Sequence, residues 1–167
     1  LNKKIKYRES FRPFAPAIKS EEVQNWFDLN TQSPYMLFVS TVKSEHLYDT
    51  SNSDNLLSGI DRLNILRSKI PAVTHVDNSA RIQTVDKSTN KRFHDLLSMF
   101  ENKTSCPILV NTSFNVRGEP IVCSPEDAFK CFMGTEMDVL AIGNCILTKT
   151  SQDPSLKINY KNNFELD

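Results

Sequence analysis

The segment that most constrains how this chain folds is residues 107–122. Pro107-Ile108-Leu109-Val110 reads as a short buried strand: apolar, β-branched and opened by a proline. The chain then turns polar at Asn111-Thr112-Ser113-Phe114-Asn115-Val116-Arg117-Gly118-Glu119-Pro120. In extended backbone Ser113 and Asn115 share one face, and Phe114 points the other way into a core. Gly118 permits a turn, after which Ile121-Val122-Cys123 is expected as a second strand. Two readings stand at this point. The segment is a strand–turn–strand connection with ordinary Asx and Ser turn chemistry, or it presents a hydroxyl and a carboxamide at the end of a strand to hold a polar ligand.

The Thr112-Ser113-x-Asn115-x-x-Gly118-x-Pro120 pattern resembles a segment of the YrdC-like nucleotide-binding fold. In that fold the Ser-x-Asn pair works with an upstream Lys-x-Arg pair around nucleotide phosphates.

Bulk properties narrow the class. The chain's 167 residues are one domain's worth, or a piece of a larger protein. Hydrophobic content of 39% beside 24% charged residues fits a globular domain. No apolar run approaches the ~20 residues of a membrane span, and the basic, polar N-terminus has no signal-peptide core. Cys106, Cys123, Cys131 and Cys145 lie far apart without C-x-x-C spacing. They are expected to be small buried hydrophobes in a reduced compartment, the cytoplasm, with no disulfide framework and no zinc site. The net charge of zero argues against a general nucleic-acid surface. Yet Lys3, Lys4, Lys6, Arg8 and Arg12 crowd the first twelve residues, and such a cluster suits a small anion.

Along the chain, strands and helices interleave. Lys4-Ile5-Lys6-Tyr7-Arg8 alternates charged and apolar side chains, the pattern of a half-buried strand with Lys4, Lys6 and Arg8 on one face. A solvated edge strand reads the same way. Arg12 sits between Phe11 and Pro13-Phe14, where a guanidinium needs an acidic partner or an anionic ligand. Residues 20–27 predict a short helix capped by Ser20, and residues 35–39, Tyr-Met-Leu-Phe-Val, a strand buried on both faces. Leu56, Ile60, Leu63 and Leu66 recur at helical spacing, so part of 55–70 is expected to be an amphipathic helix. Residues 71–85 predict strand, turn and strand around Asp77-Asn78. His75 and Asp77 admit a metal site, but a hydrogen-bonded structural histidine is preferred because no further ligands cluster there. Arg81 follows the turn, facing either a pocket or a surface carboxylate.

Phe93, Leu96, Leu97 and Phe100 predict an amphipathic helix over 90–101, with His94 and Asp95 on its solvated side. Ser124-Pro125-Glu126-Asp127 is a helix start, and Gly143-Asn144 the turn of a hairpin. The fold class is therefore α/β or α+β, with a mixed sheet, over residues 1–150, followed by a polar tail at 151–167.

The full set of motifs is more specific. Lys6-x-Arg8-Glu9-x-Phe11-Arg12-Pro13-Phe14-Ala15-Pro16, Pro71-Ala72-Val73-Thr74-His75-Val76-Asp77-x-Ser79-Ala80-Arg81, Asn111-Thr112-Ser113-Phe114-Asn115 with Gly118-Glu119-Pro120, and Pro125-Glu126-Asp127-Ala128 resemble, in order, the C-terminal domain of the NodU/CmcH-type carbamoyltransferases.

The resemblance implies a YrdC-like mixed twisted sheet that makes carbamoyl-adenylate from carbamoyl phosphate and ATP. A separate N-terminal Kae1-like domain then passes the carbamoyl group to a hydroxyl. It also implies that Lys6, Arg12, Arg81 and Ser113 line the carbamoyl phosphate and adenylate pocket, with Arg8 and Asn115 completing the two pairs. Mg²⁺ is expected with the ATP and no dedicated metal site. The upstream part of the domain and the acceptor domain are expected outside this chain, and 44–68 is expected to be an insertion. Asn78 stands where the family has glycine, and its tolerance of left-handed backbone should preserve the turn. Self-association is compatible with a half-domain surface. A nucleotide- or RNA-binding module without chemistry, or a scaffold for a partner domain, are the rival classes; neutral charge weighs against RNA.

Overall fold

The computed structural model describes residues 1–50 and 58–158. The chain divides into two compact units, one spanning Pro13–Thr112 and the other combining Leu1–Arg12 with Ser113–Asp167.

The first unit is built on a four-stranded sheet ordered β2-β3-β1-β4. Its strands are β1 (Ala15–Lys19), β2 (Phe38–Thr41), β3 (Ser79–Val85) and β4 (Ile108–Asn111). β1 runs parallel to β3 and antiparallel to β4, while β2 pairs antiparallel with β3. The sheet is therefore mixed and, with its helices, an α/β fold, as the interleaved pattern predicts. Alternation sorts the side chains. Ile18, Ala80, Ile82 and Ile108 enter one apolar cluster with Phe27 and Val42. Ala17 and Val85 point the other way and meet Leu97 of α2 (Lys91–Thr104). Phe27, Ile18, Ile82 and Leu97 are fully buried, each worth about 1.5–3 kcal/mol in removed apolar surface.

α2 starts as expected: the Asn90 side chain accepts from Phe93 N–H at 3.3 Å. It ends where Ser105 turns left-handed at φ 58°. The Asp77-Asn78 turn also forms, with Asn78 at φ 63° and Asp77 accepting from Ser79 N–H at 3.0 Å. His75 Nδ1 lies 3.0 Å from Ser79 Oγ, the hydrogen-bonded histidine preferred above.

The second unit holds α3 (Pro125–Gly134) and the hairpin β5 (Val139–Ile142) and β6 (Cys145–Thr148). α3 begins with a reciprocal capping box: Ser124 Oγ accepts from Asp127 N–H, and Asp127 accepts from Ser124 N–H. Its last carbonyls are closed by the Lys149 ammonium, which donates to Phe132 O and Thr135 O. Ala128, Phe132 and Met133 pack with Leu140 of β5. Gly143 turns the hairpin at φ 57°.

Several sequence expectations are corrected. Residues 4–8 do not form a strand. Asn2–Lys6 is a π-helical turn closed by Tyr7 in left-handed backbone, φ 50° and ψ 44°. Asn2 enforces it by donating to Ser10 O and Arg12 O while accepting from Arg8 Nε. Residues 35–39 are not buried on both faces. Among the described residues β2 pairs with β3 alone, and Leu37 just before it, Phe38 and Val39 are 76%, 45% and 58% exposed. Pro71–Val73 is a 3₁₀ turn and not a strand, as a proline opening suits.

Ser20 lies inside a 3₁₀ turn, Ser20–Glu22, that leads into α1 (Val23–Trp26), and it caps nothing. Within 55–70 the described helix is a 3₁₀ segment, Gly59–Asn64, and Leu66 is exposed; Leu56 lies outside the described residues. His94 is buried, not solvated, because Glu21 Oε1 offers it a partner at 2.7 Å. Ile121-Val122-Cys123 forms no strand. The bond from Val122 N–H to Phe114 O helps close this loop instead. Of the cysteines, Cys131 is buried and Cys106 half-buried, but Cys123 and Cys145 are exposed, at a helix approach and on a two-stranded hairpin. Among the described residues no helix is long and apolar enough to cross a membrane.

Candidate functional site

Two backbone segments of the second unit build a hollow of about 420 Å³. Its walls are Lys6, Arg8 and Arg12 from one segment, and Ser113, Asn115, Val116, Arg117, Gly118, Glu119 and Pro120 from the other.

The joint between the segments is Lys6. It is 5% exposed, and its Nζ donates to Ser113 O at 2.8 Å, Asn115 O at 2.6 Å and Asn115 Oδ1 at 2.7 Å, with Ser113 Oγ at 3.3 Å. In return Arg117 N–H donates to Lys6 O at 3.2 Å. An ammonium has three protons, so these four neutral oxygens absorb its donors. Lys6 thus holds the loop in shape and gives the hollow a positive field. Burial, and next the Arg8 charge, push its pKa below the ordinary lysine value.

The loop continues the same logic. Ser113 Oγ donates to Asn115 Oδ1 at 2.7 Å, and Asn115 Nδ2 donates to Glu119 O at 2.8 Å. Val116 N–H donates to Glu119 Oε2 at 2.8 Å, and Gly118 sits at φ 76°, a turn that favours glycine. Phe114 and Val116 anchor the loop from beneath, against Cys131, Val122 and Tyr7. Burial and the nearby Glu119 carboxylate push the Cys131 thiol up to about 12, so it is an inert packing group.

Arg8 is oriented by its Nε bond to Asn2 Oδ1 at 2.7 Å. Burial and the neighbouring Arg12 charge lower its pKa. The wall therefore carries Lys6, Arg8, Arg12 and Arg117 against the carboxylate of Glu119. A cleft of this sign attracts small anions, and guanidinium forks suit phosphate or carboxylate oxygens. A larger hollow of about 630 Å³ in the same unit lacks this imbalance: Lys4, Lys149 and Lys157 face Glu136 and Asp138 there.

Of the residues singled out from sequence, Lys6, Arg8, Arg12, Ser113 and Asn115 share this hollow. Arg81 belongs to the sheet unit, on β3 opposite Val39, where it is exposed. Arg117 and Glu119 line the hollow but were missed as site residues. The sequence signal for them was their position inside the polar loop itself. Among the described residues, no group of three or more His, Cys, Asp or Glu is placed to hold a metal ion.

Comparisons with known proteins agree with the motif resemblance. The chain is 56% identical, over its whole length, to an uncharacterised protein of Synechocystis, of which it covers 27%. It is 38% identical over 89% of its length to nodulation protein NolO of Bradyrhizobium diazoefficiens, covering 24% of that protein. It is 36% identical over 71% of its length to 3'-hydroxymethylcephem-O-carbamoyltransferase of Amycolatopsis lactamdurans, covering 18% of it. The chain thus spans about a quarter of the length of the first two. The family model described as the carbamoyltransferase C-terminus matches residues 1–149, and the chain belongs to that family.

Proposed function

We propose that this chain provides the site at which an ATP-dependent O-carbamoyltransferase converts carbamoyl phosphate and ATP into carbamoyl-adenylate, and that a further, Kae1-like domain of the same protein delivers the carbamoyl group to a hydroxyl acceptor. The observation that carries the reading is the hollow itself, with four cationic side chains, one carboxylate and the Ser113–Asn115 pair on its wall. Relatives that include a named O-carbamoyltransferase support the class of chemistry.

The balance of the reaction explains why such a wall is useful. Water takes the phosphoryl group from carbamoyl phosphate, leaving phosphate and carbamate. A carbamate oxygen then bonds to the α-phosphorus of ATP, whose bond to the bridging oxygen breaks as pyrophosphate leaves. The acceptor hydroxyl later attacks the carbamoyl carbon, loses its proton, and AMP departs. Each stage gathers anions, so catalysis is chiefly positioning and electrostatic stabilisation. In this reading Arg8 and Arg12 bind phosphate oxygens. Ser113 and Asn115, held by Lys6, offer both a donor and an acceptor to the carbamoyl group, whose two ends need opposite partners. Arg81 is assigned to the same pocket on the family resemblance. Mg²⁺ would accompany the ATP and would neutralise phosphate charge there.

The test is pyrophosphate release from ATP, dependent on carbamoyl phosphate, in the full-length protein and in its Arg8→Ala and Arg81→Ala variants. Release that collapses in Arg8→Ala supports the reading. Nucleotide binding without release would favour a binding module instead, and an unchanged rate in Arg81→Ala would remove that residue from the site.

A further inference from the structure

Ser113 and Asn115 both line the hollow, and their hydrogen bonds fix how each is polarised. Lys6 Nζ, a group that can only donate, lies 2.7 Å from one end of the Asn115 carboxamide, so that end is the oxygen. The Glu119 carbonyl, which can only accept, lies 2.8 Å from the other end, so that end is the nitrogen. Two independent partners thus agree on one orientation. Ser113 Oγ stands 2.7 Å from the same Asn115 Oδ1. That oxygen has no proton to give, so the single hydroxyl proton of Ser113 is the one shared. Lys6 Nζ, 3.3 Å from Ser113 Oγ, reinforces the polarity, because an ammonium can only donate to it. Ser113 is exposed on the loop, and what its hydroxyl has left for a ligand is a lone pair. Turning the proton toward an anionic oxygen would break its bond to Asn115.

We propose that Ser113 is a specificity-determining residue of this site, its locked hydroxyl accepting a hydrogen bond from the amino group of the carbamoyl substrate. The inference rests on the reading of the hollow as the carbamoyl phosphate and ATP site. Guanidinium groups recognise a phosphate, which every acyl phosphate carries. Ser113 instead reads what the acyl carbon bears. An amino group meets the lone pair with an N–H, whereas a methyl group leaves it without a partner once water is displaced. An oxyanion in that place would face a lone pair with its own charge and be repelled. The second Nδ2 proton of Asn115 then serves the carbamoyl oxygen, so the pair binds the two ends in one sense and not the other.

The experiment measures pyrophosphate release from ATP in the full-length protein, driven by carbamoyl phosphate and, separately, by acetyl phosphate, which carries a methyl where the amino group stands. The readout is the ratio of the two kcat/KM values. Wild type should favour carbamoyl phosphate by roughly ten- to hundredfold. Ser113→Ala should lower the carbamoyl phosphate value and leave the acetyl phosphate value within about threefold, so that the ratio falls about tenfold. A hydroxyl that merely shaped the loop would slow both substrates alike, so an unchanged ratio in Ser113→Ala would overturn the inference. A wild type that uses both substrates equally well would overturn it too, whatever the variant does. Should Ser113→Ala release no pyrophosphate with either substrate, Ser113→Cys decides by the same ratio, since a thiol is a weak acceptor. A wild type that releases none with carbamoyl phosphate brings down the reading of the hollow as well. A selective wild type with an unchanged ratio in the variant removes only this role of Ser113.

Discussion

The two units each bury a lysine, and they treat it in opposite ways. Lys19 in the sheet unit is 8% exposed, and its ammonium sits 2.6 Å from Glu101, with Glu21 at 4.0 Å. Burial alone would lower its pKa, but the Glu101 hydrogen bond and charge outweigh that and raise it. Lys6 in the other unit is 5% exposed, and its hydrogen-bond acceptors are neutral oxygens. Its pKa is lowered by burial and by Arg8. One unit closes its charge account internally; the other keeps a positive field turned toward a hollow. A buried ammonium with its carboxylate fastens a fold, whereas one surrounded by further cations marks where an anion belongs.

The sharpest way to break this comparison is to neutralise each lysine. Lys6→Met should weaken phosphate-ligand binding roughly 30- to 100-fold, since it removes a charge and takes the Lys6 donor from the Ser113 and Asn115 carbonyl oxygens. Lys19→Met should leave that affinity unchanged and cost about 1–3 kcal/mol of stability, because Glu101 loses its partner. Calorimetric titration and thermal melts read the two effects. Equal loss of binding in both variants would mean that the lysines are equivalent structural charges.

A smaller effect guards against confusing folding with binding. Ser124→Ala breaks the capping box of α3 and should cost about 1 kcal/mol, measured by urea unfolding. Asn90→Ala, the matching cap in the sheet unit, should cost a similar amount. Neither should alter anion affinity by more than about twofold. A large loss of binding in Ser124→Ala would show that the hollow depends on α3 stability and not on the local charges.

The legible parts of the molecule are those settled within a few residues. The capping box at Ser124 and Asp127, the left-handed Asn78 turn, the Gly143-Asn144 hairpin and the periodic apolar positions of α2 all rest on local rules. Partners that no local pattern names account for most of the rest. Residues 4–8 alternate like a strand, but the side chain of Asn2 folds them into a π-helical turn by reaching Ser10 and Arg12. His94 looked solvated from its place on the helix, and Glu21, 73 positions earlier, buries it. The apolar run at 35–39 could not reveal that, among the described residues, β2 pairs with β3 alone and leaves Leu37 and Val39 exposed. Within the hollow, the Lys-x-Arg and Ser-x-Asn spacings were readable as motifs. What no spacing conveys is that Lys6 spends its protons on the loop, or that Arg117 and Glu119 share the wall.

The smallest expected effect concerns pH, and the two lysines should diverge there as well. The folded pKa of Lys6 lies below its ordinary value of 10.5, so the folded state releases this proton before the unfolded chain does. Between those two values the unfolded state binds more protons, and the Lys6 contribution to stability rises with pH. Lys19 has its folded pKa raised above 10.5. Its contribution is fully present below the unfolded value and is lost as pH rises through the folded one. Over the alkaline approach to 10.5, therefore, the sheet unit should keep its ion pair while the hollow loses a positive charge. Arginines do not titrate in this range, and neutral Lys6 can still donate, so ligand affinity should fall only about three- to tenfold. The check is a titration series from about pH 7.5 to 10 on wild type and Lys6→Arg. The variant, which keeps its charge, should hold its affinity flat across the series. An alkaline fall of the same size in Lys6→Arg would trace the loss to another group and leave the contrast between the two lysines resting on geometry alone.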